Sequence, residues 1–195
     1  LGRGFERYYG FLGGSTDQFA PELYRDNTPV EVPITRDDYH LSADLVDEAI
    51  DQVRGLRSIG PNRPFFLYLA FGAGHAPHQA PREWIDKYRG AFDHGWDGER
   101  ERILQRQIEL GIMPGGTKLG PTNPGVEPWT TLSADQQRLY ARMMEVYAGF
   151  ISYTDHQIGR LLDFLEAANA LDDTIVMLLS DNGASAEGGP EGSVD

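Results

Sequence analysis

Apolar residues recur at helical spacing in two long stretches of the chain. In residues 40–58 they lie three or four positions apart, which is typical of an amphipathic helix, and Ser42 is the expected N-cap. His40 is expected either to support the start of this helix or to lie in solvent. Residues 132–173 show the same period over a longer range, and Ser133 is the expected N-cap there. Shorter helices are predicted over 81–90 and 99–111.

Two continuous apolar runs predict buried strands. Seven apolar or aromatic residues, 65–71, follow Pro64, and a second run covers residues 174–180. Residues 1–40 are rich in Gly, Pro, Tyr and Asp, which predicts loops with short strands. Because helices alternate with buried strands, we expect an α/β fold with a mostly parallel central sheet flanked by helices.

Each predicted buried strand is followed at once by a polar loop that contains glycine. "GAGHAPHQAP" follows the first strand and "SDNGAS" follows the second. Ligands of parallel α/β sheets bind beyond the carboxyl ends of the strands. Two such loops at one sheet edge therefore indicate a candidate site.

Two chemistries are open at these strand ends. Asp181 and Asn182 form either a plain turn, since Asn-Gly favours turns, or a pair of hard oxygen ligands for Ca²⁺ or Mg²⁺. His75 either donates to an anionic oxygen or a leaving group, or is a loop histidine bonded to backbone. For His78 the structural interpretation is favoured, because three-residue spacing from His75 is not a metal signature.

Composition narrows the classes of partner. The formal net charge of −13 argues against nucleic acid and anionic membrane surfaces, which both require basic protein surfaces. No apolar run reaches about 18 residues, so no transmembrane helix is expected. With no cysteine, the 195 residues contain no disulfide, thiolate metal ligand or cysteine nucleophile.

The segments "RGFERYYGF", "PFFLYLAFGAGHAPHQAP" and "MEVYAGFISYTDHQIGRLLDFLEAANALDDTIVMLLSDNGASAEGG" resemble the type I sulfatases, specifically the bacterial arylsulfatases. The resemblance extends over nearly the whole chain and is weakest in residues 91–130. It implies that residues 1–195 form a single partial catalytic domain with an alkaline-phosphatase-like α/β fold. It also implies hydrolysis of small-molecule sulfate esters, with Ca²⁺ and a formylglycine made from cysteine or serine.

The resemblance assigns roles to three residues. Asp181 and Asn182 match the second pair of calcium ligands, and His75 matches a histidine that contacts the sulfate or the leaving oxygen. This favours the ion site over the plain turn. The formylglycine motif, the other acidic ligand pair and the catalytic lysines of the family are not found, so we expect the isolated chain to be inactive. Alternatives are a phosphate or phosphonate ester hydrolase of the same superfamily, and a non-catalytic fragment that packs with another chain.

Overall fold

The computed structural model describes residues 4–32, 39–180, 182, 188–190 and 192 of the 195-residue chain. Its helices are α1 (Leu41–Ile59), α2 (Arg82–Asp86), α3 (Gly95–Glu109) and α4 (Ala134–Ala167), with single 3-10 turns at Trp129–Thr131 and Leu171–Asp173. Its strands are β1 (Tyr9–Gly10), β2 (Leu23–Arg25) and β3 (Thr28–Val30). Within the described ranges, no helix has the length and apolarity needed to cross a bilayer.

The two long helices begin at side-chain caps. Ser133 accepts the backbone N–H of Gln136, and the Gln136 side chain returns to the Ser133 N–H, so the predicted cap is confirmed as a capping box. The prediction for α1 was wrong by two residues. His40 is the N-cap, and its Nδ1 accepts from the Ser42 N–H at 3.1 Å. Ser42 lies inside the helix, where its hydroxyl contacts Thr154 Oγ1 at 3.1 Å.

Contacts between α1 and α4 show that the two helices run in the same direction. Ser42 contacts Thr154 near the start of α1, and Asp47 accepts from Arg160 about one and a half turns further along both helices. Arg57, in the last turn of α1, donates to the carbonyl of Ala168 just beyond α4. Because the partners advance together along both helices, α1 and α4 are parallel.

A hydrophobic core lies along this helix pair. Val46 and Val53 of α1 pack with Leu161 and Leu165 of α4. The core continues into residues 65–71, whose odd-numbered side chains pack against it. A second cluster joins β2 and α1 through three buried leucines, Leu23, Leu41 and Leu45. Val53, Leu161 and Leu165 of the predicted helical faces are thereby confirmed as core residues, whereas Leu139, predicted on the same face of the second stretch, is 46% exposed.

The short helix α2 packs directly on α4. A Cβ atom at Gly149 would lie 2.8 Å from the Cα of Ile85, which is closer than real Cβ contacts. Glycine at this position therefore lets the two backbones approach. Further along the chain, buried Trp129 packs on Gly95 at the start of α3, which begins four residues before the predicted position.

The prediction of two buried strands is not confirmed. In the described part of the chain, the one sheet is antiparallel, in the order β1-β2-β3, and it is built from the N-terminal residues. Residues 65–71 alternate between partly covered and exposed positions, with Phe66 and Tyr68 each 74% exposed. Residues 175–179 are exposed at every position, from 50% to 88%. An apolar run predicts burial only where neighbouring strands and a second layer cover it, and the described residues supply one layer for 65–71 and none for 175–179.

Candidate active site

Residues 72–80, here called the His75 loop, follow directly after the partly covered segment 65–71. The backbone N–H of His75 donates to the carbonyl of Gly72 at 3.2 Å, which closes a tight turn. Gly74, inside this turn, has φ of +95°, a conformation that favours glycine. The loop therefore carries His75 on a compact turn at the end of the apolar segment, as the sequence predicted.

The His75 ring is exposed, and its contact with a backbone carbonyl defines which ring nitrogen carries the proton. Its Nδ1 lies 2.8 Å from the carbonyl oxygen of Ala76. Because a carbonyl only accepts, Nδ1 is the donor, and Nε2 of the neutral ring then carries the lone pair. Such a ring takes up a proton at Nε2 and can pass that proton to an oxygen of a bound ligand.

His78 makes a packing contact. Its ring meets the Tyr147 ring of α4 edge to face, with centroids 5.4 Å apart. This geometry is a favourable aromatic arrangement. The contact agrees with the structural interpretation that the sequence favoured for His78.

The far end of the His75 loop is bonded to residues 17 and 18. Gln79 Oε1 accepts from the Gln18 N–H at 2.7 Å, and Gln79 Nε2 donates to Asp17 Oδ2 at 2.7 Å. Asp17 Oδ1 in turn accepts from the backbone N–H groups of Phe19 and Ala20. Burial alone would raise the pKa of Asp17, but these hydrogen bonds from Gln79, Ala20 and Phe19 outweigh it and lower the pKa.

His40 also holds this loop. Its Nε2–H donates to the Gln79 carbonyl at 3.1 Å while its Nδ1 caps α1. The ring is buried between Phe19, Phe150 and Tyr153. Burial lowers the pKa of His40, partly opposed by its bond to Gln79 and by the charge of Asp17. Of the two alternatives for His40, support of the helix is correct and solvent exposure is wrong.

The second predicted strand end is described only in part. Asp181 lies outside the described residues. Asn182 is exposed, and its backbone carbonyl accepts from the Ser180 hydroxyl at 2.7 Å. The meeting of this strand end with the His75 loop stays a prediction.

Carboxylate and amide oxygens are ligands that Ca²⁺ prefers, so the chemistry of Asp181 and Asn182 fits that ion. The described residues contain no cluster of three or more His, Asp or Glu that could hold a metal. Since Ca²⁺ takes about 6–8 oxygen ligands, two side chains are too few to form a complete site.

Sequence reasoning missed the residues that hold the His75 loop. Asp17 and Gln18 precede Gln79 by 62 and 61 positions. Gln79 lies in the quoted stretch "GAGHAPHQAP", but no sequence pattern links it to Asp17 or Gln18. Their one signal in the sequence is that all three are polar residues in predicted loops. That signal is shared by many surface residues and does not single them out.

Comparison with known proteins identifies the class. The sulfatase family model matches residues 2–193, nearly the whole chain. An uncharacterized sulfatase of Schizosaccharomyces pombe is 35% identical over 208 residues, covering 98% of this chain and 36% of that protein. An arylsulfatase of Klebsiella aerogenes is 31% identical, covering 94% of this chain and 40% of that enzyme.

The chain belongs to the sulfatase family, whose members hydrolyse sulfate esters. Membership supports the alkaline-phosphatase-like α/β fold that the resemblance implied. The chain spans about two fifths of the length of the curated relatives it matches. Among solved structures, Ps i-CgsB in complex with k-i-k-neocarrahexaose covers 86% of this chain and 30% of that protein, at 21% identity and a TM-score of 0.49.

Proposed function

We propose that this chain forms part of the catalytic domain of an arylsulfatase that hydrolyses small-molecule sulfate esters. The observation that carries the proposal is the sulfatase family match over residues 2–193. An arylsulfatase is among the relatives that cover almost the whole chain. The His75 loop adds a histidine at the predicted strand end, on a turn that fixes its backbone.

In the proposed net reaction, one molecule of water is consumed and the bond from sulfur to the ester oxygen breaks. The products are an alcohol or phenol and hydrogen sulfate. His75, protonated at Nε2, donates that proton to the departing ester oxygen. The Nδ1–H contact with the Ala76 carbonyl supports this role, because it orients the ring and assigns the transferable proton to Nε2.

Calcium belongs to the proposal as a partner of Asp181 and Asn182. When bound, the ion supplies positive charge next to the sulfate. Such local charge is needed because the chain has a formal net charge of −13. Further ligands and the formylglycine nucleophile are expected from polypeptide beyond these 195 residues, so the isolated chain is expected to bind Ca²⁺ weakly and to be inactive.

The directions of α1 and α4 support the finer proposal of a mostly parallel sheet. Each of the two helices is followed by an apolar segment, 65–71 after α1 and 175–179 after α4. Since the helices run parallel and both pack on the odd-numbered side chains of segment 65–71, we expect the two segments to return in the same direction. Parallel strands with helices on one face have this arrangement.

A chimera tests the proposed activity. Residues 2–193 replace the matched region of the Klebsiella aerogenes arylsulfatase, and hydrolysis of p-nitrophenyl sulfate is measured beside p-nitrophenyl phosphate. We expect sulfate ester hydrolysis that His75→Gln lowers by at least about 100-fold, the usual contribution of general acid catalysis. His78→Gln is the matched control and should retain most of the activity.

Two results would contradict the proposal. A folded chimera that hydrolyses the phosphate ester in preference to the sulfate ester would favour the other hydrolase class. Equal activity of the two histidine variants would remove His75 from the reaction. For the metal, calorimetric titration of the same chimera with Ca²⁺ should show binding that Asp181→Ala weakens.

A second candidate function is packing with another polypeptide, with no catalysis. The exposed apolar side chains of residues 175–179 and of Phe66 and Tyr68 favour it. The expected partner is a polypeptide that pairs its own β-strands with these segments, because both segments are continuous apolar runs of the kind found in strands. Sedimentation of the isolated chain tests this candidate. Self-association that falls when residues 175–179 are made polar would support it, and a monomer at all concentrations would count against it.

A further inference from the structure

The bonds at the far end of the His75 loop form one connected unit. Gln79 bridges the Asp17 carboxylate and the Gln18 backbone N–H through its two side-chain atoms, both at 2.7 Å. The Gln18 carbonyl accepts from the Leu41 N–H at 2.8 Å, which ties the same segment to the first residue of α1. Asp17, Gln18 and Gln79 are here called the loop clamp.

The near end of the His75 loop rests on the same segment. A Cβ atom at Gly72 would lie 2.9 Å from Nε2 of the Gln18 side chain, which is itself 1% exposed. The carbonyl of Gly72 accepts the His75 N–H. Both ends of the nine-residue loop therefore contact residues 17 and 18, and His75 lies between the two ends of the loop.

We propose that the loop clamp is a positioning device that fixes the His75 loop, and through the loop the direction of the His75 ring. Its consequence for hydrolysis rests on the proposed function, but its effect on the loop does not. The three residues do not act on substrate. They hold the turn on which His75 is carried.

The hydrogen-bond directions in the clamp make it testable. Asp17 can only accept in its ionised state, so Gln79 must direct its NH₂ group at Asp17 and its oxygen at the Gln18 N–H. Asp17→Asn replaces the carboxylate beside Gln79 with a neutral amide, so the charge-assisted hydrogen bond from the Gln79 NH₂ group is lost. Gln79→Glu places a carboxylate against the Asp17 carboxylate. The double variant reverses the donor: the Asn NH₂ donates to the new Glu, which still accepts from the Gln18 N–H.

The experiment measures amide hydrogen exchange of the 195-residue chain and of the three variants. In each single variant we expect exchange at residues 72–80 to rise by about tenfold, because one charge-assisted hydrogen bond is lost. In the double variant we expect exchange within about threefold of the parent chain. NMR signals of the His75 ring should shift in the single variants and return in the double variant.

Gln137→Glu is the matched control. Like that of Gln79, the Gln137 side chain is bonded to a backbone group, here as the donor to the carbonyl of Trp129, and it lies in a different part of the molecule. Its replacement should leave exchange of residues 72–80 unchanged. A role in general stability would instead raise exchange in α1 and α4 as much as in the loop, and this would contradict the proposal.

Other outcomes also decide the matter. Unchanged loop exchange in both single variants, or no recovery in the double variant, would overturn the clamp. If a single variant does not fold, the double variant decides: exchange at residues 72–80 and His75 ring signals like those of the parent chain support the clamp, and failure of the double variant to fold overturns it. Failure of the arylsulfatase proposal would appear separately, as a chimera in which His75→Gln has no effect while the exchange results stand.

Discussion

Segments 65–71 and 175–179 have similar apolar composition and very different surroundings. Leu67 and Leu69 of the first segment pack on the helix pair, and its even positions are exposed. The second segment follows α4 but contacts no core cluster within the described residues, and it is exposed throughout. The apolar composition of a segment therefore does not determine whether it is buried. Burial also requires other elements of the fold to pack against the segment.

The residues that follow the two segments also differ in the contacts that hold them. The His75 loop after residue 71 is held by Gln79, His40 and the turn at Gly72. After residue 179, one contact within the described residues is the hydrogen bond from the Ser180 hydroxyl to the Asn182 carbonyl. Long-range hydrogen bonds fix the first candidate site element, whereas a local bond is described at the second.

The largest effect is expected from truncating matched leucines in the two segments. Leu69 packs on both core clusters that adjoin segment 65–71, so Leu69→Ala should lower the free energy of unfolding by about 2 kcal/mol. Leu178 is 75% exposed, and Leu178→Ala should change the free energy of unfolding by less than about 0.5 kcal/mol. Urea denaturation of both variants measures the difference. Equal losses would mean that the two segments are covered alike.

A charge in the second segment should change association without changing stability. Leu178→Lys places a charge among exposed apolar side chains, and we expect weaker self-association in light scattering, because charges on unpaired apolar strands oppose edge pairing. The unfolding midpoint should stay close to that of the parent chain. A large drop in the midpoint would show that Leu178 is buried in solution and would reverse the comparison.

A pH effect should appear at the end of the first segment. Burial holds the pKa of His40 below its ordinary value of 6.5, so the folded chain binds fewer protons than the unfolded chain. The contribution of neutral His40 to the free energy of unfolding should therefore be complete above pH 6.5 and be lost as the pH is lowered below it. His40→Asn keeps a side-chain acceptor for the Ser42 N–H and does not titrate, so it should reduce this slope. Denaturation at several pH values tests it, and identical slopes in the two proteins would refute the assignment to His40.

The smallest effect is expected at Gln18. Its Oε1 is a buried acceptor without a hydrogen-bond partner in the described structure, while its Nε2 donates to the Thr16 carbonyl at 3.2 Å. Gln18→Met removes an unpaired polar atom together with one modest bond, so we expect a net change within about 1 kcal/mol. Gln18→Glu is the contrasting variant, since it buries a charge at the same place and should destabilise clearly more. Thermal unfolding of the pair decides between these expectations.

The helices could be predicted from sequence because their partners lie within the chain. The apolar faces of α1 and α4 meet each other, and Ser133 caps α4 through a bond three residues away. The cap of α1 was misplaced because a histidine acts as the cap, which the usual preference for serine does not anticipate. The helices themselves could thus be predicted, because their caps lie within a few residues and their apolar faces pack on each other.

The strands and the loop clamp could not be predicted in the same way. Burial of residues 175–179 depends on a layer that the described residues do not provide. The bond between Asp17 and Gln79 joins residues that are distant in the chain, and either residue alone resembles an ordinary polar loop position. His75 was found because its loop resembles a family motif. Gln79 lies in the same loop, but the resemblance assigns no role to it, and Asp17 and Gln18 belong to no quoted motif.

The dependence of segment 65–71 on α4 has a consequence for synthesis of the chain. The side chains that cover the segment from α4, Leu161 and Leu165, leave the ribosome roughly 100 residues later, about 5–20 s at usual translation rates. During that interval, α1 and β2 are the elements made so far that cover this run of phenylalanine, leucine and tyrosine. We expect the nascent chain to be recognised in that interval by chaperones that bind extended apolar peptide. Completion of α4 then covers the odd-numbered side chains, while Phe66 and Tyr68 stay exposed.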